Sequence, residues 1–199
     1  MTDHDIRIVP PPEGPTERDP VMDTLTLAFS TDPAVRYMFP DAAGYLKAFP
    51  RLATAMAGGA LAAGTAYVAD GGAAAALWLA PGAEADSEAI IALVGETVAP
   101  ARQAVLGELG ELMRQFHPDS PHWYLSMLGV DPSRQGQGLG AALLKEGLRR
   151  CDADGLPAYL ESSSPRNVPL YERHGFVVTG LIKPGDHPGL IPMSRPAKR

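Results

Sequence analysis

Three glycines at alternate positions, Gly136, Gly138 and Gly140, separate an apolar run from the clearest amphipathic stretch of the chain. Leu128-Gly129-Val130 leads into a turn signal at Asp131-Pro132, and the glycines follow at once. Beyond them Leu144, Leu148 and Cys151 recur at helical spacing, with Leu139, Leu143 and Gly147 beside them. Gly138 to Ala153 therefore reads as a helix, which Gly155 ends. Glycine lets the backbone adopt left-handed conformations and approach a ligand closely. A helix start also offers unpaired N–H groups and the positive end of the helix dipole. Strand, glycine loop and helix together describe a cradle for a phosphate group.

Which phosphate is not settled by the loop alone. No Lys-Ser/Thr pair follows the glycines, so the Walker pattern is absent. A dinucleotide fold would place its loop after the first strand of a βαβ unit, whereas this one falls late in the chain. Glu161 nonetheless stands at a spacing compatible with a ribose-binding acid. A tight strand-to-helix turn with no ligand is the plain alternative.

The remaining punctuation predicts alternating strands and helices. Ile6 to Val9 reads as a strand broken by Pro10, Pro11 and Pro12. Asp19 and Pro20 open a helix through Val21, Leu25 and Ala28 that stops near Asp32-Pro33. An aromatic-bearing loop is expected from Pro33 to Pro40, then a helix from Ala42 to about Ala57. Thr65–Ala69 and Ala74–Leu79 read as a hairpin about Asp70-Gly71-Gly72. Ser87 to Phe116 is helical with an interruption near Pro100, and His122–Val130 and Ala158–Ser162 are strands. A short helix over Asn167–His174 and strands over Phe176–Ile182 and Leu190–Met193 complete a single α/β domain across the 199 residues.

Composition narrows the function. A net charge of -6 argues against nucleic acid or an anionic membrane as partner, since both require a basic footprint. The single cysteine, Cys151, excludes an intramolecular disulfide and a thiolate metal cluster, and the five histidines show no ligand spacing. The N-terminus lacks a signal-peptide pattern, and no apolar run approaches the ~20 residues of a membrane span. The expectation is a cytoplasmic protein.

Two motifs carry a resemblance. Gln135-Gly136-Gln137-Gly138-Leu139-Gly140 resembles the Gln/Arg-x-x-Gly-x-Gly/Ala signature of the GCN5-related N-acetyltransferase (GNAT) family. Asn167-Val-Pro-Leu-Tyr171-Glu-Arg-His-Gly175-Phe176 resembles its second signature, Asn-x-x-x-Tyr-x-x-x-Gly-Phe, in the right order and separation. His117-Pro118, Pro121, Trp123-Tyr124-Leu125, Pro157 to Glu161 and Met193 to Pro196 are further similar to the branch containing puromycin N-acetyltransferase. Asp32 departs from that branch, which carries an aromatic residue before the proline.

The resemblance implies a central mixed, mostly antiparallel sheet, splayed at the cofactor site and flanked by helices. Its cofactor-binding core would span about 117–182, and acceptor-side helices about 19–60. It implies acetyl-CoA as cofactor, held at its pyrophosphate by Gln135, Gly136, Gln137, Gly138, Leu139, Gly140 and Ala141. Arg134 would reach a ribose phosphate, or be a solvated loop charge. Leu128, Gly129 and Val130 would pair with the pantetheine arm, and Asn167 would contact the cofactor nearby. Tyr171 matches the general acid, needed because a thiolate leaves. Glu161 is the candidate base, with a structural ion pair as the alternative. Phe29, Asp32, Arg36, Tyr37, Phe39 and Trp123 or Tyr124 would form the acceptor pocket. The implied activity is acetyl transfer to a primary amine of a small molecule, by a monomer or homodimer. A protein lysine or N-terminal acetyltransferase, or a non-catalytic acyl-CoA-binding module, is the alternative.

Overall fold

The structure is a computed structural model that describes residues 4–10 and 20–198. In chain order it contains β1 (Ile6–Ile8), α1 (Pro20–Ala28), α2 (Pro33–Met38), α3 (Ala42–Ala57), β2 (Ala66–Ala69) and β3 (Ala74–Leu79). There follow α4 (Ser87–Thr97), α5 (Pro100–Phe116), β4 (Trp123–Val130), α6 (Leu139–Ala153), β5 (Ala158–Ser162), α7 (Val168–Glu172), β6 (Val177–Val178) and β7 (Ile191–Arg195). The strands form one sheet in the order β1-β2-β3-β4-β5-β7-β6. Every pairing is antiparallel except β4 with β5. No helix among the described residues is long and apolar enough to cross a membrane.

β3 lies inside the sheet, and all six of its residues are buried. Its side chains alternate between two cores. Ala75, Leu77 and Leu79 join the cluster formed with α1 and α3, whereas Ala74, Ala76 and Trp78 join the one formed with α6. Alanine is a weak strand former, but here it lets helices approach both faces of the sheet. Trp78 is the exception, and Gly147 on α6 makes room for it. A Cβ at Gly147 would lie 2.1 Å from Trp78 Nε1.

The sheet opens at one place. β4 and β5 pair only at Trp123–Ala158 and Tyr124–Tyr159, although β4 continues to Val130. The cause lies on the other edge of β4. Opposite β3, the partners jump from Leu77–Met127 to Trp78–Leu125, so Ser126 is an extra residue. Such a bulge bends its strand and breaks the ladder. It also exchanges the faces: Leu125 packs with the α6 core, Met127 with the α1–α3 core, and Leu128 and Val130 again with α6. Ser126 Oγ donates to Met56 O at 2.8 Å, which ties the bulge to α3.

Several local expectations are corrected. Pro33–Pro40 is not a loop; α2 forms there because Asp32 accepts hydrogen bonds from the Ala34 and Val35 amides and Pro33 occupies the first turn. The strand expected over Phe176–Ile182 shortens to β6 and a lone bridge between Ile182 and Leu190. The helix expected over Asn167–His174 is a 3-10 turn, Pro165–Asn167, running into α7. Asp19, Pro11 and Pro12 lie outside the described residues.

Candidate active site

A cavity of about 720 Å³ occupies the opening between β4 and β5. At one end stands the glycine loop. Gly136 (φ +75°) and Gly138 (φ +90°) are left-handed, and a Cβ at Gly136 would meet nothing within 4 Å, so its conformation alone requires glycine. Gly140 is not left-handed, and a Cβ there would make ordinary contacts. Gly138 is the N-cap of α6 and supplies no side-chain hydrogen bond. The amides of the first turn, from Leu139 onward, are thus left for a ligand. Leu139, Gly140 and Ala141 all line the cavity.

The loop is held from behind. His4 Nε2 lies 3.0 Å from Gln137 O, and its Nδ1 lies 3.1 Å from Asp70 Oδ2. Arg134 donates from Nε to Gln137 Oε1 at 3.0 Å and approaches Asp70 at 3.4 Å. This clasp turns the Gln137 side chain away, and Gln137 is absent from the cavity lining, whereas Arg134, Gln135, Gly136 and Gly138 belong to it. Leu128, Gly129 and Val130 line the wall on β4, along the edge that β5 leaves unpaired. Gly129 has a packing reason too, since a Cβ there would stand 2.7 Å from Ala28 Cβ.

Tyr171 and Asn167 reach the cavity from α7 and its preceding turn. Tyr171 is 7% exposed, and its ring meets Phe176 edge-on at 6.0 Å. Burial, reinforced by the Asp32 carboxylate, pushes its phenol well above the ordinary range, so it keeps its proton at neutral pH. A buried arginine fixes the helix beneath it. Arg195 grips Asp152, at the end of α6, through two hydrogen bonds of 2.7 and 2.9 Å, and also donates to His174 O at 3.1 Å. The glycine-loop helix α6 and the turn after the Tyr171 helix α7 are thereby joined.

Glu161 stands on β5, on the face opposite Leu160 and the α6 core. Its side chain is 3% exposed, and Oε1 accepts no hydrogen bond of full geometry, although the Tyr124 and Tyr159 hydroxyls approach the carboxylate closely enough to interact with it. His117 Nδ1 lies 3.9 Å from that oxygen, and His117 Nε2 meets His122 Nε2 at 2.9 Å. Tyr124 and Tyr159 surround the group; burial and then the Glu161 charge push both phenols far up. Burial keeps His122 below its usual value, hence neutral.

Phe29, Asp32, Tyr124 and Glu161 share the cavity with Tyr171, but Arg36, Tyr37, Phe39 and Trp123 do not line it. Arg36 donates to Pro40 O and lies over the Tyr45 ring. Tyr37 donates to Asp186 at 2.6 Å, and Arg102 stacks on it. Asp32 combines its capping role with a hydrogen bond from Ser163. Sequence reasoning missed the walls built by α4 and α5, through Val94, Leu106, Leu109 and Met113. The i, i+3, i+7 spacing on α5 is visible in the sequence, but not what that face covers. It also missed His4 and Asp70, because the contact of His4 with the loop spans 133 residues and leaves no local signal.

Fold and site define a chain in which a glycine loop and an uncapped helix start open onto a cavity bordered by a buried phenol and a buried carboxylate. An acetyltransferase (GNAT) domain profile matches residues 105–196. A Corynebacterium glutamicum structure, described as histone acetyltransferase HPA2 and related acetyltransferase, shares 30% identity with a TM-score of 0.61, covering 90% of each chain. Peptidyl-lysine N-acetyltransferase YjaB of Salmonella typhimurium is 30% identical over 101 residues, 42% of this chain and 68% of that protein. Mycothiol acetyltransferase of Streptomyces coelicolor is 44% identical over 75 residues, 36% of this chain and 24% of that protein. The chain belongs to the GNAT acetyltransferase family. It spans about a quarter of the length of several curated relatives it matches.

Proposed function

We propose that this chain is an acetyl-CoA-dependent N-acetyltransferase that acts on a primary amine of a small molecule. The reading is carried by one observation: the uncapped start of α6, the Tyr171 phenol and the Glu161 carboxylate all border the same cavity. The residues present fit acetyl-CoA. Left-handed Gly136 and Gly138 with the first α6 amides suit a pyrophosphate, the free β4 edge at Leu128–Val130 suits an amide-bearing arm, and Arg134 and Asn167, which line the same cavity, would add polar contacts. Gln137 supports this loop from outside the cavity. Acetyl-CoA supplies an acetyl group on a thiol leaving group.

This chain's residues supply the proton handling. An ammonium must lose a proton before its nitrogen can attack. Glu161 Oε1, buried and accepting no hydrogen bond of full geometry, takes it, and His117 and His122 lead from there toward solvent. Tyr171 retains its proton and holds it for the departing sulfur. A main-chain amide at Gly129 or Val130 polarises the acetyl carbonyl. Cys151 takes no part: it is buried on α6, and burial pushes its thiol to about 12, so no thiolate is available to accept the acetyl group.

Phe29, Asp32 and Tyr124 contact the acceptor, while Arg36 and Tyr37 shape the α2 wall from behind. The relatives named for lysine acetylation support a second reading, a protein acceptor. The cavity favours a small molecule, because its far walls are closed by α4 and α5. The kinship with the puromycin N-acetyltransferase branch is our finer reading, and puromycin belongs in the acceptor panel. The test is thiol release from acetyl-CoA with small amines, puromycin, a lysine peptide and a free N-terminal peptide. Turnover of small amines supports the proposal. Turnover of the peptides alone transfers it to protein acetylation, and cofactor binding without turnover of any acceptor leaves only a binding module.

A further inference from the structure

The two ends of the cavity differ in chemistry. The glycine-loop end carries Arg134, Gln135 and the first main-chain amides of α6. Beyond Glu161 and Tyr171 apolar side chains predominate: Phe29 on α1's C-terminal side, Met38 on α2, Val94 on α4, and Leu106, Leu109 and Met113 on α5, with Arg173 and His187 among the polar side chains that also border the cavity away from the glycine loop and the two carboxylates. On α5 these three residues stand at i, i+3 and i+7, so one face of the helix is turned to the cavity. Phe29, Met38, Val94 and Leu106 rest on the main core, and Phe29 stacks on Phe49 at 5.6 Å. Gly110, in the middle of the α5 face, lines the cavity, and a Cβ there would meet nothing within 4 Å.

At the neck stand two carboxylates. Asp32 is already engaged, with the Ala34 and Val35 amides and with Ser163. Glu161 Oε1 accepts no hydrogen bond of full geometry. A buried carboxylate oxygen without such a bond is costly unless a donor completes it. An ammonium or amine N–H at that point provides the donor, and the body attached to it must then lie against the apolar walls.

We infer, resting on the small-amine reading above, that the acceptor is a primary amine on an apolar aryl or alkyl body, with no carboxylate beside the nitrogen. A polyamine or aminosugar would lose its water contacts against Val94, Leu106 and Met113 without replacing them. An α-amino acid would bring its carboxylate against Asp32 and Glu161, where like charges repel, while Arg173 after α7, which also borders the cavity, is exposed and screened by water.

The experiment compares kcat/KM for propylamine, hexylamine, phenethylamine, putrescine and phenylalanine, with calorimetric binding of the same amines to the CoA-loaded protein. Each buried methylene is worth about fourfold, so hexylamine should exceed propylamine by about tenfold or more even with incomplete burial. Phenethylamine should exceed phenylalanine, and hexylamine putrescine, by a similar factor. Gly110→Leu, whose Cβ would meet nothing within 4 Å and whose side chain would enter the cavity, should reduce the phenethylamine-to-propylamine ratio about tenfold while the protein melts no lower. Putrescine or phenylalanine matching the apolar amines, or an unchanged ratio in folded Gly110→Leu, overturns the inference. Failure of every amine to turn over would instead count against the small-amine reading itself.

Discussion

Replacing Tyr171 by phenylalanine separates chemistry from packing. The ring is 7% exposed and packs on Phe176, and phenylalanine keeps all of that contact. Burial and the Asp32 charge, rather than any hydrogen bond, set the state of the hydroxyl, so its removal orphans no buried partner. Stability should change by less than about 1 kcal/mol. Activity should not be spared. A positioned general acid is worth about 10²–10⁴-fold, or roughly 3–5 kcal/mol of barrier. The assay is single-turnover acetyl transfer at saturating amine, which isolates the chemical step from product release. The loss should shrink for an acyl donor whose thiol is more acidic, because that leaving group needs a proton less. Since burial raises the phenol, wild-type activity should show no alkaline fall from Tyr171 below about pH 10. A folded variant with the wild-type single-turnover rate would make Tyr171 a structural residue and remove it from the chemistry.

Three more substitutions probe the cradle, the base and the sheet. Gly138→Val places a β-branched residue at φ +90°, with its Cβ 3.5 Å from His4 Nε2, and CoA affinity measured by calorimetry should fall by about tenfold or more; unchanged affinity in a folded protein would remove the loop assignment. Glu161→Gln should lower kcat/KM by about 10²-fold, most strongly at low pH where the amine arrives protonated, and leave CoA binding intact. Because Oε1 is buried and accepts no hydrogen bond of full geometry, the same variant should melt no lower than wild type; a lower melting temperature with full activity would make the carboxylate structural, held by His117, Tyr124 and Tyr159. Gly147→Ala would normally stabilise a helix by about 1 kcal/mol, but its Cβ would stand 2.1 Å from the buried Trp78 indole, so a net loss of about 1–3 kcal/mol is expected from chemical denaturation.

The local pieces of the site are legible because each leaves a mark on neighbouring residues. Alternate glycines before an amphipathic helix announce the cradle, and Tyr171 is four residues from Asn167 in a recognisable signature. The family resemblance implies the sheet opening, yet its cause, the extra residue Ser126, is invisible in the β4 sequence. A bulge is defined by the partner strand, and nothing in Leu125-Ser126-Met127 names Leu77 and Trp78 opposite. The helix over Pro33–Met38 escapes notice because Pro33 reads as a stop for α1, when it is also the start of α2 beneath the Asp32 cap. The α5 wall and the His4–Asp70 clasp depend on contacts between distant parts of the chain, where periodicity shows an apolar or polar face without its destination.

The proposed chemistry is direct transfer of an acetyl group to an amine, with no acyl-enzyme. The protein is mixed with a slight excess of acetyl-CoA, first alone and then with an acceptor amine, while intact protein mass, free thiol and acetylated amine are followed together. Direct transfer requires unmodified protein and negligible thiol before the amine is added, then thiol and acetylated amine appearing at equal rates. Acetylated protein accumulating before the amine, at Cys151 or elsewhere, or thiol released without acetylated amine, would contradict it.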